Sequence, residues 1–255
     1  MIEILYGAAT GLLQLTVTAV LLAPFAWWSA RKRGERPLKR HAFRPLLFVA
    51  IIYVSISAVL RIPHVGVFVD MQWNWQNKIL VIASLIVIVI AIPGITWRKI
   101  GVKLPQRRWW IPVLQLIVIV VGVQFFIGPL TAMPGTAESL GFQLTLPGLD
   151  EELMFRGLLL LLLDQALRSA PNDTTDVGAP IRWSAAASTL LFGLAHGLII
   201  TDGFALLFDP ASIIFTGLLG AFLVWLRIRW DSLLPAVIAH NAVNSSIVIA
   251  NMFAG

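Results

Sequence analysis

Glu151 and Glu152 stand side by side near the start of the apolar stretch LDEELMFRGLLLLLL, with Arg156 four residues beyond Glu152. Further along, Phe192 and His196 repeat the four-residue spacing, as do His240 and Asn244. An ionised carboxylate near hydrocarbon costs at least a few kcal/mol unless it is paired, hydrated or protonated, so such residues face a cavity or a partner and mark functional sites. One helical turn separates Glu152 from Arg156, which predicts a salt bridge on one helix face and a neutralised, supporting carboxylate. Glu151 is turned about 100° from Glu152 by the helical repeat, lacks that partner, and is expected to face a cavity. A desolvated carboxylate of this kind suits general-base work near neutral pH. His240 and Asn244 would project an imidazole and a carboxamide from one side of a helix, two donors able to hold an oxyanion. Phe192 would set a ring beside His196 and fix its rotamer. Together these types suit general-base and oxyanion chemistry at one site.

The elements that carry them must lie in a membrane. Of the 255 residues 58% are hydrophobic and 13% charged, and mean hydropathy is +0.85. The fold class expected is all-α, a polytopic membrane helix bundle of about eight transmembrane helices of roughly 20 residues each. Apolar segments run near 2–28, 44–61, 78–97, 109–130, 149–168, 184–200, 210–228 and 232–253. Residues 1–255 are read as one membrane domain, with 1–146 the less specific helices. Cysteine is absent, which excludes disulfides and thiolate chemistry. The net charge of +6 does not point to nucleic acid, because the basic residues lie in loops.

Those loops alternate. RKRGERPLKRHAFR and WRKIGVKLPQRR are strongly basic, and the later connections of the same parity add Arg168, Arg182, Arg227 and Arg229. The opposite parity carries only Arg61 and Lys78. The positive-inside rule places the basic loops in the cytoplasm and both termini outside. Trp27, Trp28, Trp97, Trp109, Trp110, Trp183, Trp225 and Trp230 flank the cytoplasmic ends and Trp73 and Trp75 an outer loop, as interfacial anchors. GPLTAMPGTAESLGFQLTLPGLD reads as the longest outer connection. Asp150 would cap the fifth helix, and Asp164 would pair with Arg168 at the surface.

EELMFR fits EExxxR, FGLAH fits FxxxH and HNAVN fits HxxxN, in that order on late segments. The set resembles the CPBP intramembrane proteases, which include type II CAAX prenyl endopeptidases and bacteriocin-processing proteins. The resemblance covers 147–253, the expected catalytic core. It implies that Glu151 and His196 activate water for attack on a peptide carbonyl, that His240 and Asn244 stabilise the oxyanion, and that Glu152, Arg156 and Phe192 support them. The substrate implied is a membrane-associated protein or peptide, in a bacterial or archaeal plasma membrane, with prenylation left open. No cofactor is favoured, because Asn is a poor zinc ligand but a good oxyanion donor. The alternative is zinc held by Glu151, His196 and His240. A second class, a proton- or cation-coupled transporter, would use the same buried polar residues as a relay. No G-x-S-x-G or Gly-rich phosphate loop is present.

Overall fold

The computed structural model describes residues 1–32, 42–105, 108–127, 133–167 and 183–254. The apolar segments expected to be helical are helical over most of their described lengths, the third ending at Ala91 and the sixth at Gly197, because a helix satisfies its backbone internally, as lipid requires. The helices are α1 (Ile2–Lys32), α2 (Phe43–Val59), α3 (Trp75–Ala91), α4 (Trp110–Ile127), α5 (Ala137–Glu152), α6 (Leu160–Leu167), α7 (Trp183–Gly197), α8 (Pro210–Trp230) and α9 (Leu234–Ala254). Ile2–Trp28, Pro210–Trp230 and Leu234–Phe253 have the length and composition to cross a membrane. Phe43–Val59, Trp75–Ala91 and Trp110–Phe126 are shorter and equally apolar. Most of the basic loop after α1, together with Arg168 and Arg182, lies outside the described residues.

Two compact units are present: Met1–Pro63 with Leu158–Val224, and His64–Gly157 with Trp225–Gly255. The 147–253 segment therefore contributes to both. In the first unit α1 packs on α2 and α7, and α6 on α2 and α7. The α1–α2 approach is close because Gly7 and Gly11 have no side chain. A Cβ on Gly7 would lie 2.3 Å from the Ser57 carbonyl oxygen, and one on Gly11 2.7 Å from Ser57 Oγ. Asp164 accepts from Ser184 Oγ at 3.3 Å, and its expected partner Arg168 lies outside the described residues.

One departure from an all-helical unit follows α7. The helix ends at Gly197 instead of running to 200, and Leu198–Ile200 (β1) pairs antiparallel with Leu206–Phe208 (β2), Ile199 opposite Leu207. The β-branched Ile199, Ile200 and Thr201 suit an extended backbone, and the turn uses Gly203 and Phe204, both at positive φ. Asp209 then caps α8, accepting from the backbone N–H of Ala211 and Ser212 and from Ser212 Oγ.

In the second unit α9 packs on α5 and α4, and α3 on α5. Much of the segment 128–150, expected to be an outer loop, is helix α5. Thr136 starts it by accepting from the Ser139 N–H at 3.1 Å. Trp73 and Trp75 are more than interfacial anchors, since their indole N–H groups donate to Ser139 Oγ and Glu138 Oε1 and both rings contact Phe142 at 5.1 Å. The helical path then loosens to a π-helix over Leu153–Leu159, carrying Arg156. Such widened turns recur at functional sites. The basic segment after α3 folds onto the α8–α9 turn. Lys103 pairs with Asp231, Arg227 bonds Asp231 at 3.0 Å and the Lys99 carbonyl at 3.1 Å, and the Leu233 N–H donates to the Gly101 carbonyl.

Candidate active site

Pro147 has no N–H to give the helical ladder of α5, and the carboxamide of Asn241 on α9 is inserted one residue further on. Its Oδ1 accepts the Gly148 N–H at 2.7 Å, and its Nδ2 donates to the Leu144 carbonyl at 3.0 Å and the Thr145 carbonyl at 3.3 Å. Asn241 thus takes the place of a ladder bond and joins α5 to α9. The junction needs glycine, because a Cβ on Gly148 would lie 2.4 Å from Asn241 Oδ1 and 2.7 Å from the Val237 carbonyl oxygen. The last turn of α5 is thereby set against α9 one turn before His240.

The acids follow on that turn. Glu152 is wholly buried, and its Oε1 accepts from Arg156 at 3.0 Å and from His240 Nδ1 at 2.9 Å. The pairing of Glu152 with Arg156 follows the expected spacing and holds although the helix widens to a π-helix between them. Because a carboxylate accepts, the Glu152 bond places a proton on His240 Nδ1 and turns Nε2 toward Glu151, whose Oε2 is 3.9 Å away. Asn244, one turn along α9, donates to Gln143 Oε1 at 2.9 Å, which fixes the orientation of its carboxamide. Glu151, Glu152, His240 and Asn244 are therefore gathered in one unit.

Two expectations need correction. Glu151 is not an uncompensated acid: Lys78 of α3 lies 2.5 Å from its Oε1 and 3.0 Å from Asp150 Oδ1. Local spacing could not reveal this partner, which is 73 positions away. The available signal was a lysine in the first turn of an apolar helix, assigned to an outer loop. Asp150, in turn, is no cap. It lies inside α5, buried, as the second acceptor of the Lys78 ammonium.

Phe192 and His196 belong to the other unit, in the last turns of α7. Phe192 acts on the imidazole twice, through a ring contact at 4.7 Å and through its carbonyl, which accepts from His196 Nδ1 at 2.8 Å. Since a carbonyl only accepts, Nδ1 carries the proton and the neutral ring has its lone pair on Nε2. Among the described residues no group of three or more His, Asp or Glu side chains is arranged to hold a metal ion.

Adjacent acids, an oriented imidazole and an oriented carboxamide thus stand within the apolar helices of one unit. Residues 133–246 match the model of the family described as type II CAAX prenyl endopeptidase Rce1-like. The match spans α5 to the middle of α9 and agrees with the resemblance carried by EExxxR, FxxxH and HxxxN, so this region is similar to the type II CAAX endopeptidases. No match was found among curated proteins or solved structures.

Proposed function

We propose that the chain hydrolyses a peptide bond of a membrane-associated protein or peptide by a metal-free, glutamate-type mechanism. Glu151 accepts a proton from water as the oxygen attacks the carbonyl carbon, and His196, which enters on its motif, is its partner in activation. The tetrahedral oxygen carries the negative charge, for which His240 Nε2 and the second N–H of Asn244 are the donors. The C–N bond then breaks and the proton held by Glu151 passes to the leaving amine. The observation that carries this reading is the position of His240, bonded to Glu152 at Nδ1 and facing Glu151 with Nε2.

Lys78 supports the metal-free form, since its ammonium sits against the Glu151 carboxylate and would repel a divalent cation bound there. As an oxyanion donor His240 would need a proton on Nε2 as well as the one that Nδ1 gives to Glu152. The expected topology, several passes with both termini outside, rests on loop charge. Cysteine at Gly34 should then be shielded from an impermeant thiol reagent in intact cells.

Glu151→Gln is expected to abolish cleavage of a model membrane peptide while the protein still accumulates, and chelators should leave the wild-type rate unchanged. Normal turnover by Glu151→Gln would end the protease assignment. The acid–lysine cluster within apolar helices also fits a proton or cation relay. Ion flux in proteoliposomes that stops on the same substitution, without peptide cleavage, would establish that reading instead.

A further inference from the structure

His196 stands one residue from the end of α7, where the last carbonyls have no partner within the helix. Two backbone carbonyls bracket it in sequence, those of Leu194 and Leu198. Both accept from one atom: Gln14 Nε2 of α1, 3.1 Å from the Leu194 oxygen and 2.7 Å from the Leu198 oxygen. The amide cannot be turned the other way, because its Oε1 accepts the Tyr53 hydroxyl at 2.6 Å. Gln14 and Tyr53 are each 2% exposed, so no water replaces these bonds. The carbonyl of Gly197 accepts separately from the Asp209 N–H at 2.7 Å.

Gln14 is the last member of a row. Tyr6, Thr10 and Gln14 lie four residues apart on one face of α1, all buried. Thr10 Oγ1 accepts the Ile200 N–H at 2.9 Å and Tyr6 Oη the Gly203 N–H at 3.0 Å. Successive turns of α1 thus grip successive backbone groups from the end of α7 to the hairpin turn. A helix wanted only for packing would meet α7 with apolar side chains, as Leu191 and Leu194 do in their burial. Here three polar side chains of α1 bond four backbone groups between Leu194 and Gly203, and the two carbonyls held by Gln14 flank the imidazole in sequence.

We propose that Gln14 is a positioning residue for His196: it closes the last turn of α7 and so fixes where the imidazole stands and where its Nε2 points. The proposal rests on the protease reading for its catalytic meaning, but the hold of Gln14 on the turn does not. Gln14 lies in α1, outside the matched residues 133–246.

The test uses the full-length protein in detergent or proteoliposomes, comparing wild type, Gln14→Leu, Tyr53→Phe and His196→Ala. Two quantities are measured, amide hydrogen exchange over residues 194–200 and steady-state cleavage of a model membrane peptide. Gln14→Leu keeps the volume and loses both bonds. It should speed exchange over 194–200 by roughly tenfold or more and lower kcat by about 10- to 100-fold, with KM within about twofold, since a small misplacement of a reacting group is felt in the transition state. Tyr53→Phe removes one hydroxyl from an intact ring and should give a smaller change of the same sign, which keeps the test valid if Gln14→Leu folds poorly. Adding Gln14→Leu to His196→Ala should lower the residual rate no further, whereas a merely structural loss would. Unchanged exchange in both variants would overturn the hold on the turn. Faster exchange with unchanged kcat, beside an inactive His196→Ala, would overturn positioning. Full activity of His196→Ala would instead sink the protease role of that histidine and leave the exchange result standing.

Discussion

The Nζ of Lys78 lies 2.5 Å from Oε1 of Glu151 and joins α3 to the last turn of α5 through an ion pair within apolar helices. Asp150 Oδ1 completes the contact at 3.0 Å. Three consecutive acids can stand at the end of α5 because this ammonium takes two of them and Arg156 the third.

Lys78→Met should therefore be more harmful than the loss of any exposed lysine. Removing one partner of a fully buried pair costs about 3–5 kcal/mol, and this partly exposed pair should lose somewhat less. The thermal midpoint of the purified protein should fall accordingly. The double variant Lys78→Met with Glu151→Gln should be more stable than Lys78→Met alone, because the stranded charge is removed with its partner. Equal stability of these two proteins would show that the pair carries no coupling.

Glu152→Gln and Arg156→Ala should chiefly reduce accumulation. Both side chains are wholly inaccessible, so either substitution strands the opposite charge. Glu152→Gln should also loosen His240, whose Nδ1 depends on the same oxygen. Protein recovered at low temperature is expected to show a lower kcat than its folded fraction explains. Wild-type accumulation of Arg156→Ala would contradict a buried pair.

Gly148→Ala tests the α5–α9 junction. The added methyl would meet Asn241 Oδ1 and the Val237 carbonyl oxygen well inside contact distance. Overpacking of this kind costs typically 1–3 kcal/mol. Combining it with Asn241→Ala should recover little, because the backbone oxygen of Val237 remains in the way. Scanning calorimetry of the three variants separates these outcomes.

Asp231 gives the protein a stability that depends on acid pH. Burial works to raise its carboxyl but is outweighed by hydrogen bonds from Lys103 and Arg227 and by their charges, so it is held below the ordinary carboxylate range. A lowered native value means that the contribution is fully present above the unfolded value of about 4 and is lost as pH falls through the native value. Asp231→Asn should remove this part of the acid sensitivity below about pH 4, where melting temperatures of the two proteins converge. Divergence that grows with acid would refute it.

Local order was legible where residues act on near neighbours. Apolar runs mark the described helices other than α5, and four-residue spacing anticipates the Glu152–Arg156 pair and the contact of Phe192 with His196. Misreadings arose where a distant residue supplies what the local chain lacks. α5 up to Asp150 read as a loop because propensity counts Gly141, Pro147 and Gly148 against a helix. Thr136 caps that helix, and Asn241, 93 positions away, takes the N–H that the ladder leaves over.

Periodicity and composition by themselves determined a helical membrane protein, most of its helices and the polar side chains placed within them. Those properties depend on neighbours within one or two turns, where backbone geometry leaves little choice. Tertiary structure alone decided the partners: Lys78 for Glu151, Glu152 for His240, Gln143 for Asn244 and Gln14 for the turn bearing His196. A buried charge or amide must find its complement wherever packing brings one, and sequence separation places no limit on where that is.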